Sequence, residues 1–93
     1  MKTRIDELLI EAKNASQSPG AYGFLPGIIK SLEAIQDELE KDGPDPEILV
    51  KRVGGLGRLV TESYAFSESP LGTKLLDLIT EIVSRYDSAW PYN

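Results

Sequence analysis

The chain has 93 residues, of which 41% are hydrophobic and 27% are charged, and it contains neither cysteine nor histidine. This composition is typical of a folded domain, and we treat residues 1–93 as one helical domain. Fifteen acidic against ten basic residues give a net charge of −5, which argues against nucleic acid as a partner because nucleic-acid binding needs a basic face.

The sequence contains neither an export signal nor a membrane-spanning segment that we can recognise from its apolar residues. No apolar run approaches the roughly 18 residues that a membrane helix needs. The polar start MKTRIDELLIEAK lacks the apolar region of a secretory signal. We therefore expect a cytoplasmic protein that does not bind membranes.

Two segments in the first half of the chain have apolar residues at helical spacing, which predicts helices over 4–17 and 26–42. The apolar stripes consist of Ile5, Leu8, Leu9 and Ala12 in the first helix, and of Ile28, Leu32, Ile35 and Leu39 in the second. Ile10 and Ile29 lie off these stripes. Such residues are either ordinary exposed side chains or contacts with a partner.

The segment between these helices, SPGAYGFLPG, has two prolines and three glycines, which exclude a helix through it. It nevertheless carries two aromatic residues, Tyr22 and Phe24. We expect their side chains to cover one end of the core. The alternative is a loop that presents aromatic groups to a protein partner.

The second predicted helix is acidic opposite its apolar stripe, with Glu33, Asp37, Glu38 and Glu40 on that face. We expect this face to be solvated. The alternative is that Asp37, Glu38 and Glu40 bind a basic partner. The segment DGPDPE does not match the alternating ligands of a calcium loop, so we predict no metal site.

The third predicted helix, over 46–66, begins with Asp45 as N-cap and Pro46 at its first position. Its apolar arc, which includes Leu49, Val53, Leu56, Val60 and Tyr64, is wide enough to be contacted on two sides.

Three glycines, Gly54, Gly55 and Gly57, interrupt this helix, and each costs about 1 kcal/mol relative to alanine. We expect them to allow a close helix crossing. A kink and a ligand or partner backbone lying on the glycines are the alternatives. Arg52 falls inside the apolar arc, where it either extends its head to solvent or pairs with a carboxylate at a functional groove.

A fourth helix is predicted over 70–87, with Ser69 as N-cap and Pro70 at the first position. Leu76 and Val83 widen its apolar stripe, which consists of Leu71, Leu75, Leu78, Ile79, Ile82 and Tyr86. The tail beyond it contains Trp90 and Tyr92, which we expect to fold back on the helices because a solvated tail has no use for tryptophan. A partner-binding tail is the alternative.

The chemistry open to this chain is narrow. Without histidine there is no Ser-His-Asp hydrolysis and no His-containing zinc, haem or di-iron site, and without cysteine there is no thiolate. The glycines of GGLGR have the wrong spacing for a phosphate-binding loop. We predict no catalytic residue, no cofactor and no enzymatic activity.

Taken together, these patterns predict an all-α fold, a four-helix up-and-down antiparallel bundle with a short tail folded back on it. We expect a small acidic, non-catalytic module for protein–protein interaction or self-association as a homodimer. Its predicted partner-binding residues are Tyr22, Phe24, Arg52, Asp37, Glu38, Glu40, Trp90 and Tyr92. One alternative is an acidic inhibitor, of the immunity-protein or antitoxin type, that covers a basic site. A further alternative is a small ligand bound between helices near Arg52.

Overall fold

The computed structural model describes residues 2–20 and 22–86. Every helix or strand assigned within these residues is an α-helix: α1 (Lys2–Ser16), α2 (Leu25–Leu39), α3 (Pro46–Thr61), α4 (Tyr64–Ser67) and α5 (Pro70–Tyr86). The predicted all-α class is confirmed. None of these helices has the length and apolar character needed to cross a bilayer.

The four long helices contact one another in a closed order. α1 packs on α2, α2 on α3, α3 on α5, and α5 returns to α1, while the short α4 packs on α3 and α5. The contact between α3 and α5 is the most extensive one. Because α3 lies between α2 and α5, the prediction that this helix is contacted on two sides is confirmed.

The buried apolar side chains form one cluster between the helices. Its members are Ile5, Leu8, Leu9, Ala12, Leu25, Ile28, Leu32, Ile35, Leu49, Val53, Leu56, Val60, Phe66, Leu75, Leu78 and Ile82. Most of them belong to the stripes predicted from helical spacing, because a helix that buries one face repeats its apolar residues every three or four positions.

The start of α3 is formed as predicted. Asp45 has an extended backbone, and its carboxylate accepts hydrogen bonds from the N–H groups of Glu47 and Ile48 at 2.9 and 3.4 Å. These bonds satisfy two donors that have no partner within the helix. Pro46 follows at the first helical position, where its missing N–H costs nothing.

The prediction that the third helix continues to Phe66 is wrong, since α3 ends at Thr61. Ser63 adopts an extended backbone and its hydroxyl accepts a hydrogen bond from the N–H of Phe66 at 3.3 Å. A serine side chain that caps the following turn competes with continuation of the preceding helix. The chain therefore turns at Ser63 and begins the separate helix α4.

This break exposes one of the two aromatic residues that follow it. Tyr64, which the spacing placed in the core arc, is 78% exposed, whereas Phe66 is buried. Helical spacing cannot be extended through a turn, because the turn changes the direction in which later side chains point. A hydrogen bond to Glu68, and to a lesser degree burial, raises the pKa of the Tyr64 phenol.

Candidate functional site

Three aromatic rings meet at one end of the core. The ring centroids of Tyr22, Phe24 and Phe66 are each 5.2 Å from the other two. Phe66 meets the other rings edge-on, at interplanar angles of 68° and 81°, which is a favoured geometry for aromatic pairs. The expectation that the 18–27 loop covers one end of the core is confirmed for Phe24, which packs against the core.

The position of Phe66 depends on the junction between α4 and α5. The hydroxyl of Ser69 donates to the carbonyl of Phe66 at 2.6 Å and accepts from the N–H of Gly72 at 3.1 Å. Gly72 is buried in the first turn of α5. A Cβ built there would lie 2.0 Å from the Phe66 carbonyl oxygen, so only glycine fits without moving the backbone.

A groove of about 390 Å³ opens beside the aromatic rings, between the end of α1, the loop that follows it and the start of α5. Its walls include Ala15, Pro19, Tyr22, Leu25, Phe66 and Leu71. Tyr22 is 40% exposed, so its ring contacts both the core and solvent. A concave, mostly apolar surface with aromatic walls is the kind of site that binds an apolar group.

The charged rim of this groove is largely neutralised. Glu11 lines the groove, and its carboxylate pairs with the ammonium group of Lys74 on α5 at 3.1 Å. Further along the same helix pair, the guanidinium of Arg4 pairs with Glu81 at 2.6 Å. Since Lys74 offsets the charge of Glu11, the groove favours an apolar ligand group over a charged one.

The acidic face of α2 differs from the prediction at one residue. Asp37 and Glu40 are exposed, but the side chain of Glu38 is only 1% exposed. Its carboxylate accepts hydrogen bonds from the N–H of Asp45 and from the Lys41 ammonium, both at 3.0 Å. The expectation that Glu38 belongs to a solvated face is therefore wrong, because its carboxylate closes the turn between α2 and α3.

These contacts stabilise the ionised form of Glu38. The hydrogen bond from the Asp45 N–H, followed by that from Lys41, lowers the pKa of the Glu38 carboxyl, and the positive charge of Arg52 contributes to the same direction. Burial of the carboxyl opposes this shift but does not outweigh it. Glu38 is thus a buried anion with partners, which helical spacing alone did not reveal.

Arg52 connects α3 to α2. Its guanidinium donates a hydrogen bond to the backbone carbonyl of Ala34, and its side chain is partly buried. The arginine inside the apolar arc therefore has a structural partner on the neighbouring helix. A ligand-binding role for Arg52 stays a prediction.

The expectation that the glycine cluster of α3 allows a close helix crossing is wrong. Gly54 and Gly55 are exposed, and a Cβ at either would meet no atom within 4 Å. A Cβ at Gly57 would make an ordinary contact of 3.6 Å with the side chain of Ile79. α3 continues through all three positions, so two glycines lie on an open helical surface.

The predicted partner-binding residues are thus divided among separate places. Tyr22 and Phe24 meet beside the groove, while Arg52 and Glu38 lie near each other at the contact of α2 and α3. Trp90 and Tyr92 lie outside the described residues. The sequence interpretation did not identify Phe66 and Gly72 as residues that shape this side of the groove. The sequence signal for them is a serine three positions earlier, Ser63 before Phe66 and Ser69 before Gly72, whose side chain accepts a hydrogen bond in the turn.

Within residues 2–20 and 22–86, no three acidic side chains come together in a group that could hold a metal ion. No family model, no curated protein and no solved structure matches the chain.

Proposed function

We propose that this chain is a small, acidic, non-catalytic interaction module that associates with a second copy of itself through the aromatic groove. The observation that carries the proposal is the groove itself, an opening of about 390 Å³ beside the Tyr22 and Phe66 rings. Tyr22 stays 40% exposed although its ring belongs to the aromatic cluster. Partly exposed aromatic residues of this kind are enriched at protein interfaces.

One feature of the sequence and one of the structure support a non-catalytic role. The chain contains no histidine and no cysteine, the residues that supply most general bases and thiolate nucleophiles near neutral pH. The one buried carboxylate among the described residues, Glu38, is held ionised by hydrogen bonds in a turn, where it stabilises the fold.

The up-and-down antiparallel arrangement of the four long helices is part of this proposal. Two ion pairs between α1 and α5 support it. Arg4 pairs with Glu81, and Glu11 pairs with Lys74. A step of seven residues forward along α1 therefore corresponds to a step of seven residues backward along α5, as in antiparallel helices. The same opposite step of seven residues occurs between α2 and α3. There Gly27 faces Leu59, and Ala34 accepts a hydrogen bond from Arg52.

Sedimentation equilibrium over a wide concentration range tests the self-association. We expect the full chain to approach twice its mass of 10.2 kDa, and Tyr22→Ser to weaken association at least about tenfold, as for an aromatic residue central to an interface. Tyr64→Ser is the matched control, because Tyr64 is more exposed but does not line the groove. A chain that stays monomeric throughout contradicts the proposal.

The acidic-inhibitor alternative is supported by the exposure of Glu33, Asp37, Glu40 and Asp42 along the end of α2 and the turn that follows it. Reversal of Asp37 and Glu40 to lysine tests it, because both side chains face solvent. Glu38 is left unchanged, since its replacement would disturb the turn. Unchanged affinity for a basic partner protein after this double reversal would exclude the alternative.

A further inference from the structure

The four long helices do not hold one another equally. Of the four contacts that close their ring, the one between α1 and α5 is the least extensive. On its other side α1 packs extensively on α2, where the Gln36 amide also donates a hydrogen bond to the Asp6 carboxylate. α1 is therefore attached to the fold mainly through α2, and the seam between α1 and α5 is the weakest part of the ring.

Two openings lie along this seam. The aromatic groove is bounded by Glu11 and Ala15 on the α1 side and by Leu71 on the α5 side. A second opening, of about 330 Å³, lies between the same two helices, and its walls include Leu8 and Lys74. Glu11 lines both openings. Its side chain therefore stands between them, at the point where it meets Lys74 across the seam.

Two ion pairs bridge the seam. The Lys74 ammonium group lies 3.1 and 3.2 Å from the two carboxylate oxygens of Glu11, and the Arg4 guanidinium lies 2.6 Å from the Glu81 carboxylate. The four side chains are between 36% and 54% exposed. Ion pairs at such exposure contribute little to stability and are weakened by salt. They can therefore hold the two helices together and still release them.

We propose that α1 is a lid that separates from α5 while the rest of the fold stays intact, and that the two ion pairs hold it closed. Release of the Glu11–Lys74 pair joins the two openings into one continuous cleft beside Leu8 and Leu71. The closed form prevails because opening uncovers apolar side chains, and rising salt shifts the equilibrium towards the open form. The opening occurs within one copy and does not depend on the proposed self-association.

Because the chain has no cysteine, a single introduced thiol can report the opening. Leu8→Cys places a thiol at the seam, where the side chain is buried, and Leu56→Cys places one at a buried position of α3. We expect a neutral alkylating reagent to modify Leu8→Cys at least about tenfold faster. Low urea concentrations should not change the rate at Leu8→Cys, since a local opening exposes little surface. Ala12→Cys, also buried on α1, replaces Leu8→Cys if that variant does not fold.

An exchange of charges tests the ion pair. Lys74→Glu sets two carboxylates against each other and should speed modification of Leu8→Cys at least about threefold. Adding Glu11→Lys to Lys74→Glu restores opposite charges and should return the rate to its starting value. Lys51→Glu is the control for net charge, because Lys51 is exposed on α3 and lines neither opening. Raising sodium chloride from about 0.05 to about 0.5 M should speed modification in the chain with the native pair and slow it in the Lys74→Glu chain.

Two results overturn the inference. Equal modification rates at Leu8→Cys and Leu56→Cys, with the same dependence on urea, mean that α1 leaves α5 only when the whole fold unfolds. Equal effects of Lys74→Glu and Lys51→Glu on the rate at Leu8→Cys mean that the Glu11–Lys74 pair does not hold the seam closed. Neither result bears on the proposed self-association, which sedimentation measures separately.

Discussion

Gly72 lies against the carbonyl of Phe66 so closely that a Cβ on Gly72 would be 2.0 Å from the oxygen. The contact joins the first turn of α5 to α4 and holds the Phe66 ring at the end of the core, next to Tyr22. The close approach of Gly72 to the Phe66 backbone therefore fixes the position of the Phe66 ring, which forms one wall of the proposed binding groove. The glycines of this chain therefore differ in how a substitution by alanine should change the free energy of unfolding.

We expect Gly72→Ala to lower the free energy of unfolding by at least about 2 kcal/mol, the cost of forcing atoms into a filled site. The clashing atoms belong to the backbone, which cannot rotate away as the end of a side chain can. Gly57→Ala is the control, since its Cβ would be 3.6 Å from Ile79. Chemical denaturation measures both, and equal stability of the two variants would contradict the close approach.

Gly54→Ala and Gly55→Ala should each raise the free energy of unfolding by about 1 kcal/mol, the difference in helix propensity between alanine and glycine. Both positions are exposed within α3, and an added methyl group meets nothing. Thermal unfolding of the single variants and the double variant measures the effect. A loss of stability would restore the close-crossing explanation that the structure contradicts.

Gly20→Ala provides the opposite case at an equally open position. A Cβ there would meet no atom within 4 Å, but the residue has a φ of 77°, a left-handed conformation that side chains disfavour by about 1 kcal/mol. We expect Gly20→Ala to be destabilising by roughly this amount. If Gly54→Ala and Gly20→Ala shift the unfolding midpoint in the same direction, open space rather than backbone conformation decides the result.

Glu38 should make the stability of the fold sensitive to acid. Its folded-state pKa is lowered below the ordinary glutamate value near 4.5, so the ionised carboxylate stabilises the fold above that pH. This contribution is lost as the pH falls through the lower folded-state pKa. Glu38→Gln should lower stability near neutral pH and flatten its dependence below pH 4.5.

Unfolding midpoints measured between neutral and strongly acidic pH test this expectation. Asp37→Asn is the control for the loss of one negative charge, because the Asp37 side chain is exposed on the same helix. If Glu38→Gln and Asp37→Asn give the same pH profile, the hydrogen bonds from Asp45 and Lys41 do not hold the carboxylate as described.

Arg52→Met should lower the free energy of unfolding by about 1–2 kcal/mol, because it removes a charged hydrogen-bond donor from the Ala34 carbonyl while keeping the aliphatic stem. Lys51→Met, at the exposed position beside it, should change stability little. Denaturant titration compares the two. Unchanged stability of Arg52→Met would contradict a stabilising role for the hydrogen bond to Ala34.

The features that the sequence by itself determined depend on residues close to one another along the chain. Helical spacing identified the buried stripes of α1, α2, α3 and α5, and the Asp45-Pro46 pair marked the start of α3. Both depend on residues within a few positions of one another, where the geometry of a single helix decides which side chains share a face. The absence of histidine and cysteine limited the available chemistry in the same direct way.

What only the tertiary structure decided depends on distant residues. The open surface around Gly54, the contact of Gly72 with Phe66, and the meeting of Tyr22 with Phe66 across 44 positions of sequence all follow from which helix faces reach each other. Glu38 is buried where the turn after α2 brings the N–H of Asp45 and the ammonium group of Lys41 onto its carboxylate. Spacing along one helix carries no information about such neighbours, because the same stripe can pack against any complementary face.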